Sequence, residues 1–152
     1  NLVNDELELS LYTKILIFCV HRDVVAALTL KLSDHGAVSL YGDMSQKDKE
    51  RSIDFFLNKK DCKVMVANIT TAGVGLNFTH CSQIIFVESS WSYAENLQAV
   101  MRCHRLGQTS PVQVRFAMIK NSIDQRVERA VMRKMEETNL LTSKEYLGNE
   151  DV

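Results

Sequence analysis

The chain has 152 residues, 45% apolar and 24% charged, the balance of one ordinary globular domain. A chain of this size buries roughly 68–70% of its unfolded surface, which excludes a mainly disordered polymer. Its net charge of −1 and pI of 6.5 lack the basic footprint of a typical nucleic-acid-binding domain, and no apolar run approaches the ~20 residues that cross a bilayer. No basic segment followed by an apolar one opens the chain, so no secretion signal is expected.

Lys14–Cys19 is an apolar, β-branched run that reads as a buried strand. Val24, Leu28 and Leu32 follow at helical spacing, with Asp23 in the first turn and Gly36 ending the stretch. A short strand at Ala37–Leu40 leads to a turn at Tyr41–Gly42. Ser45 and Asp48 have capping-box spacing, and Ile53, Phe56 and Leu57 form the apolar stripe of the helix they open. Further strands are expected at Lys63–Ala67, Gln83–Val87 and Val112–Ile119. A last long helix is expected from Ser122 and a short one from Thr142, before an acidic tail. Strands alternating with helices predict an α/β domain: a mainly parallel sheet covered on both faces. In such sheets ligands sit at the carboxyl ends of the strands, where this sequence gathers Tyr41–Gly42, Thr70–Asn77 and Glu88–Ser92.

Charge is distributed unevenly. Residues 1–13 hold three acids and no base, residues 98–134 hold eight bases against two acids, and the last eighteen residues hold five acids and one lysine. The basic segment suits phosphate. The four cysteines are far apart without a CxxC pair, a pattern of reduced intracellular thiols rather than of disulfides or a zinc site. No metal site is expected.

The segment Gln98-x-x-x-Arg102-x-x-Arg105-x-Gly107-Gln108 carries the sharpest signal. On a helix these spacings put Gln98, Arg102 and Arg105 in one arc of roughly 60°. Two guanidiniums aimed alike either lie solvated on a surface or share an anion, and arginine's donor fork fits phosphate. The full string QAVMRCHRLGQ resembles motif VI of superfamily 2 helicase-like ATPases, specifically the SWI/SNF-type DNA translocases, matching Gln98, Ala99, Arg102, His104, Arg105, Gly107 and Gln108. Thr70-Thr71-Ala72-Gly73-Val74-Gly75-Leu76-Asn77, which alone could be a glycine-permitted turn, resembles motif V of the same family. Its single glycine at Gly73-Val74, with Glu88-Ser-Ser-Trp91 following, is similar to the annealing-helicase, fork-remodelling branch. The usual Trp-Asn/Asp-Pro is replaced by Trp91-Ser92-Tyr93, so the local turn must differ. KILIFCVHRDVVAALTLKL and YGDMSQKDKERSIDFF resemble motifs IV and IVa.

The resemblance spans about residues 14–138, with residues 1–13 as an acidic lead-in and 139–152 as a short helix and tail. It implies a RecA-like three-layer lobe, the second of two in an ATP-driven translocase on double-stranded or branched DNA. It further implies that Arg102 and Arg105 are catalytic, with Arg105 the first choice for an arginine finger, and that Gly75, Asn77 and Gln98 lie with them near the nucleotide. Thr70, Thr71, Tyr41, Gly42 and His21 would contact the DNA backbone. By itself His21 reads as a structural histidine before a phosphate contact, Lys47 and Lys49 read as solvated lysines, and Trp91 reads as a packing anchor rather than a base-stacking platform. No glycine precedes a lysine in a GxxxxGK[ST] loop, so ATP and Mg2+ would be held mainly by the first, N-terminal RecA-like lobe. The fragment by itself is expected to be monomeric, inactive and unattached to membranes. The protein would be intracellular: nuclear if eukaryotic, cytoplasmic if bacterial or phage-encoded. The alternatives are a lobe of an RNA helicase and a non-enzymatic RecA-like interaction module.

Overall fold

A computed structural model describes residues 14–72, 77–104, 106–117, 126, 129–130 and 132–134. In chain order the elements are β1 (Ile15–Cys19), α1 (Arg22–Lys31), a 3-10 turn (Ser33–His35), β2 (Val38–Leu40), α2 (Gln46–Asn58), β3 (Val64–Asn68), α3 (Ile69–Ala72), β4 (Gln83–Phe86), α4 (Tyr93–Val100) and β5 (Gln113–Phe116). The strands form one sheet in the order β2-β3-β1-β4-β5. Every pairing is parallel, with Cys19 opposite Asn68 and Phe18 opposite both Ala67 and Phe86.

Burial follows position in the sheet. The central β1 is fully buried at all five residues, as a parallel strand covered on both faces must be. The edge strands β2 and β5 are short and only partly buried, which limits unpaired backbone at the sheet's margins. Period-two alternation divides the strands between two cores. Leu16, Phe18, Met65, Ala67, Ile84 and Phe86 point to one face, against Phe56 of α2 and Ala99 and Val100 of α4. Ile15, Ile17, Cys19, Val64, Val66 and Ile85 point to the other, against Val25 of α1. This is a three-layer arrangement, with helices on both faces as the strand–helix alternation predicts.

Local signals behave as their chemistry requires. Ser45 Oγ accepts the Asp48 amide at 3.1 Å and donates to the Asp48 carboxylate at 2.7 Å, so the capping box opens α2. Gly36 ends the α1 segment in the left-handed region, at φ 65°. Phe56 is buried beneath α2, and Ile53 and Leu57 pack beside it. All four cysteines are free and buried. None of the described helices is long and apolar enough to cross a membrane. The expected end of the fifth strand at residues 118–119, most of the helix from Ser122, the helix from Thr142 and both terminal segments lie outside the described residues.

Candidate functional site

Because all five strands run the same way, their exits share one edge. There the chain turns at Val20–His21 after β1, at Tyr41–Gly42 after β2, at Ile69–Thr71 after β3 and at Val87–Glu88 after β4. The helix after β1 covers one face, whereas α2, α3 and α4 contribute to the core on the other. The chain therefore diverges on either side of β1, and divergence of this kind opens a crevice at the carboxyl edge.

Gly42, Thr70 and Thr71 come together here. They line a cleft of about 450 Å³ with Gln46, Lys49 and Ile53. Lys49 Nζ donates to the Gly42 carbonyl at 2.7 Å, which holds the ammonium at the cleft. Gly42 is not demanded by space, since an added Cβ would meet Thr71 Oγ1 at an ordinary 3.6 Å. The threonines are set by Asn68, whose Oδ1 accepts the Thr70 amide at 3.0 Å, the Thr71 amide at 3.4 Å and the Thr70 hydroxyl. Hydroxyls, an ammonium and turn amides suit a phosphate backbone and carry no base code.

Tyr41 stands apart from this cluster. It lines a neighbouring groove of about 540 Å³ with Arg51 and Phe55. The Arg22 guanidinium lies 4.9 Å from the centre of its ring and pairs with Asp43 at 2.9 Å. His21 shares the edge but has a protein partner, its Nδ1 lying 2.8 Å from Glu88 Oε1. That hydrogen bond, and then the Glu88 charge, raise the His21 pKa above the ordinary histidine value. Burial pushes the Glu88 carboxyl up, but hydrogen bonds from His21 and Val20 outweigh it, and the net shift is downward.

The arginine segment departs from its sequence expectation. The helix does not run on to Arg105, because α4 ends at Val100. The amides of Arg102 and Cys103 bond to the carbonyls three residues back, Ala99 and Val100, at 3.2 and 3.0 Å. The last turn tightens here; Gln98 is exposed whereas Arg102 is 9% exposed. The Arg102 carbonyl accepts the Phe78 amide at 3.0 Å, tying the end of the Thr70–Asn77 segment to the arginine turn. Asn77 is exposed, and its Oδ1 accepts the Thr79 amide at 3.2 Å. Gly75 and Arg105 lie outside the described residues.

Trp91 is 73% exposed, which corrects the expectation of a packing anchor. The anchor is Asn96, which sequence reasoning missed. It is fully buried; its Oδ1 accepts the Ser90 amide at 2.9 Å, and its Nδ2 donates to the Ser90 and Ser92 carbonyls at 2.6 and 2.9 Å. Three local bonds make a buried amide tolerable and free the aromatic ring from that task. A signal was present: Ser92-x-x-Glu95 has capping-box spacing, and Ser92 Oγ accepts the Glu95 amide at 3.4 Å. Among the described residues no group of three or more His, Cys, Asp or Glu could hold a metal ion.

Comparison with known proteins gives a consistent picture. The family described as the helicase conserved C-terminal domain matches residues 1–107. The chain is 32% identical over 120 residues to lymphoid-specific helicase of Homo sapiens, covering 78% of this chain and 14% of that protein. It is 34% identical over 95 residues to DNA repair protein RAD5 of Gibberella zeae, covering 62% of this chain and 8% of that one. Over 125 residues it is 30% identical to a SWI/SNF-related matrix-associated actin-dependent regulator of chromatin subfamily A-like protein 1 of Drosophila melanogaster, covering 81% of this chain and 17% of that protein. The crystal structure of the C-terminal part of the Fun30 ATPase domain matches with a TM-score of 0.77 at 26% identity, over 84% of this chain and 43% of that one. The chain thus spans less than a fifth of the length of these curated relatives, and their similar identities single out no branch.

Proposed function

The chain belongs to the helicase conserved C-terminal domain family, with SWI/SNF-type relatives and their RecA-like α/β fold, and from that premise we propose that it is the second motor lobe of an ATP-driven translocase on double-stranded DNA. The observation that carries the reading is the convergence of Gly42, Thr70 and Thr71 with Lys49 on one cleft. These are residues from two separate motifs, and the cleft's donors suit a phosphate backbone.

In this reading the cleft grips one DNA strand by its phosphates, with Tyr41 and His21 on the flanking turns. Such a grip is sequence-independent and weakens with salt, because the counterions that binding releases gain less entropy in a saltier solution. The nucleotide lies between this lobe and its N-terminal partner, which holds ATP and Mg2+. Arg105 and Arg102 stabilise charge on the transferring phosphoryl group, while Gln98, Asn77 and Gly75 border the nucleotide. The tie from Phe78 to the Arg102 carbonyl supports a mechanical link between the DNA-facing segment and the arginine turn. Branched DNA fits the same cleft, which reads backbone only, and a eukaryotic source would make the protein nuclear.

The test uses the two-lobed parent. Arg105→Ala is expected to lower ATP hydrolysis by about 10³-fold or more, the scale of an arginine finger, while duplex DNA binding and the folding transition persist. Normal hydrolysis by that variant overturns the assignment. Stimulation by duplex RNA but not by duplex DNA would favour an RNA helicase instead. The chain 1–152 alone should turn over no ATP, and robust hydrolysis by it would contradict the half-site reading.

A further inference from the structure

At the crevice around β1, the backbone groups of the exposed Val20–His21 turn follow the last ladder residue of β1, Cys19. Two side chains bond to them. From β3, Asn68 Nδ2 donates to the Val20 carbonyl at 2.6 Å. From the turn after β4, Glu88 Oε2 accepts the amides of both Val20 and His21 at 2.9 Å. The turn is held from both neighbouring strands.

Asn68 also faces the other way. Its Oδ1 accepts the Thr70 and Thr71 amides and the Thr70 hydroxyl. The orientation of the amide is dictated by its neighbours, since the Val20 carbonyl needs a donor and the threonine amides need an acceptor. A hydroxyl has one proton to give. While Thr70 gives it to Asn68, the hydroxyl can only accept; to donate to a phosphate it must release Asn68. An anion in the cleft therefore changes what Asn68 holds on one side, and Asn68 holds the β1–α1 turn on the other.

We infer that Asn68 is a positioning residue that transmits occupancy of the Gly42–Thr70–Thr71 cleft to the β1–α1 turn, and through Glu88 to the segment leading into α4. Beyond Glu88 the path continues through Ser90, whose amide and carbonyl both bond to the buried Asn96 of α4. The arginine turn follows that helix directly. Asn68 touches neither ligand in this scheme. The inference rests on the reading that DNA occupies the cleft.

The experiment uses the two-lobed parent with a labelled blunt DNA duplex. It measures DNA affinity by fluorescence anisotropy, ATP hydrolysis with and without DNA, and the melting temperature. Asn68→Asp keeps an acceptor for the threonines but sets a carboxylate oxygen against the Val20 carbonyl. The ratio of DNA-stimulated to DNA-free hydrolysis should fall about fivefold or more, the lower end of typical coupling factors. DNA affinity should change far less than that ratio. A stimulation ratio equal to wild type overturns the inference, as does a loss of stimulation fully matched by a loss of DNA binding. Should Asn68→Asp fail to fold, Glu88→Ala removes the acceptor of the Val20 and His21 amides from the β4 side, and undiminished stimulation in that variant overturns the inference. The parent serves as the internal control: a wild-type protein that neither binds duplex DNA nor responds to it sinks the functional reading itself, whereas a responsive wild type with a responsive Asn68→Asp sinks only the coupling.

Discussion

The side-chain amide of Gln108 donates to the carbonyl of Cys81 at 3.1 Å, twenty-seven positions earlier in the chain, and lies 3.4 Å from the carbonyl of Cys103. One nitrogen thus joins the turn before β4 to the turn after α4. The oxygen of the same amide, Oε1, accepts the Ser110 amide at 3.0 Å. Gln108, the last matched position of the motif VI string, is in this lobe a fastener for the loop leading to β5. Gln108→Ala should destabilise the chain by about 1–3 kcal/mol, because half-buried backbone groups lose their partner. Urea unfolding would report this as a lower midpoint at an unchanged slope, and an unchanged midpoint would refute the role.

Gly36 and Gly42 make opposite predictions, although each sits in a turn between a helix and a strand. Gly36 has φ 65°, and an added Cβ would meet the Asp61 carbonyl oxygen at 2.2 Å. Gly36→Ala must shift backbone as well as adopt a disfavoured conformation, for about 2 kcal/mol or more. Gly42→Ala meets only ordinary contact and should leave the melting temperature nearly unchanged. Equal melting temperatures for Gly36→Ala and wild type would show that the Asp61 loop yields freely.

Phe86 is the aromatic centre of one core. Its ring lies 5.1 Å from that of Phe18 and 4.9 Å from that of Phe116, joining β1, β4 and β5 across the sheet. Phe86→Ala should cost about 3–5 kcal/mol, the range for removing a large aromatic side chain from a packed interior. Phe86→Leu should cost distinctly less. Chemical denaturation of both variants checks the order, and a reversed order would mean that the site collapses onto the smaller residue.

The His21–Glu88 pair makes stability depend on pH with a defined sign. The folded His21 pKa is raised by its bond to Glu88, so its contribution is complete below the ordinary histidine value of about 6.5. It is lost as pH rises through the raised folded value. Glu88 has a lowered folded pKa, so its contribution is present above the ordinary glutamate value of about 4.3 and is lost as pH falls through the folded one. Wild type should therefore exceed His21→Gln most between about pH 4.5 and 6.5, with the gap narrowing on the alkaline side. Melting curves of the two proteins across that range test it, and a constant gap would rule the ion pair out as the source.

Much of the fold was legible before any coordinates. β1, β3 and β4 are continuous apolar runs because a parallel strand is covered on both faces, and the Ser45–Asp48 cap and the Gly36 stop are local chemistry confined to a few residues. The strand order was not legible, since parallel pairing is decided by crossovers across dozens of residues and leaves no mark at the strands themselves. The short α3 escaped for a different reason: four residues are too few for a helical period.

For the site, sequence similarity nominated Gly42, Thr70 and Thr71, and only the parallel sheet brought them to one cleft with Lys49. His21 could be read from sequence as either ligand contact or structural residue; its partner Glu88 follows another strand and became visible only in three dimensions. The expected arc of Gln98, Arg102 and Arg105 assumed a continuous helix; α4 ends at Val100, and Arg105 lies outside the described residues. Trp91 was expected to be a packing anchor, whereas the buried place near it is filled by Asn96, whose amide Ser90 and Ser92 satisfy. Local hydrogen bonding and hydrophobic period thus determined which segments fold and into what, while partners supplied from distant strands decided which side chains face the cleft and which are held within the protein.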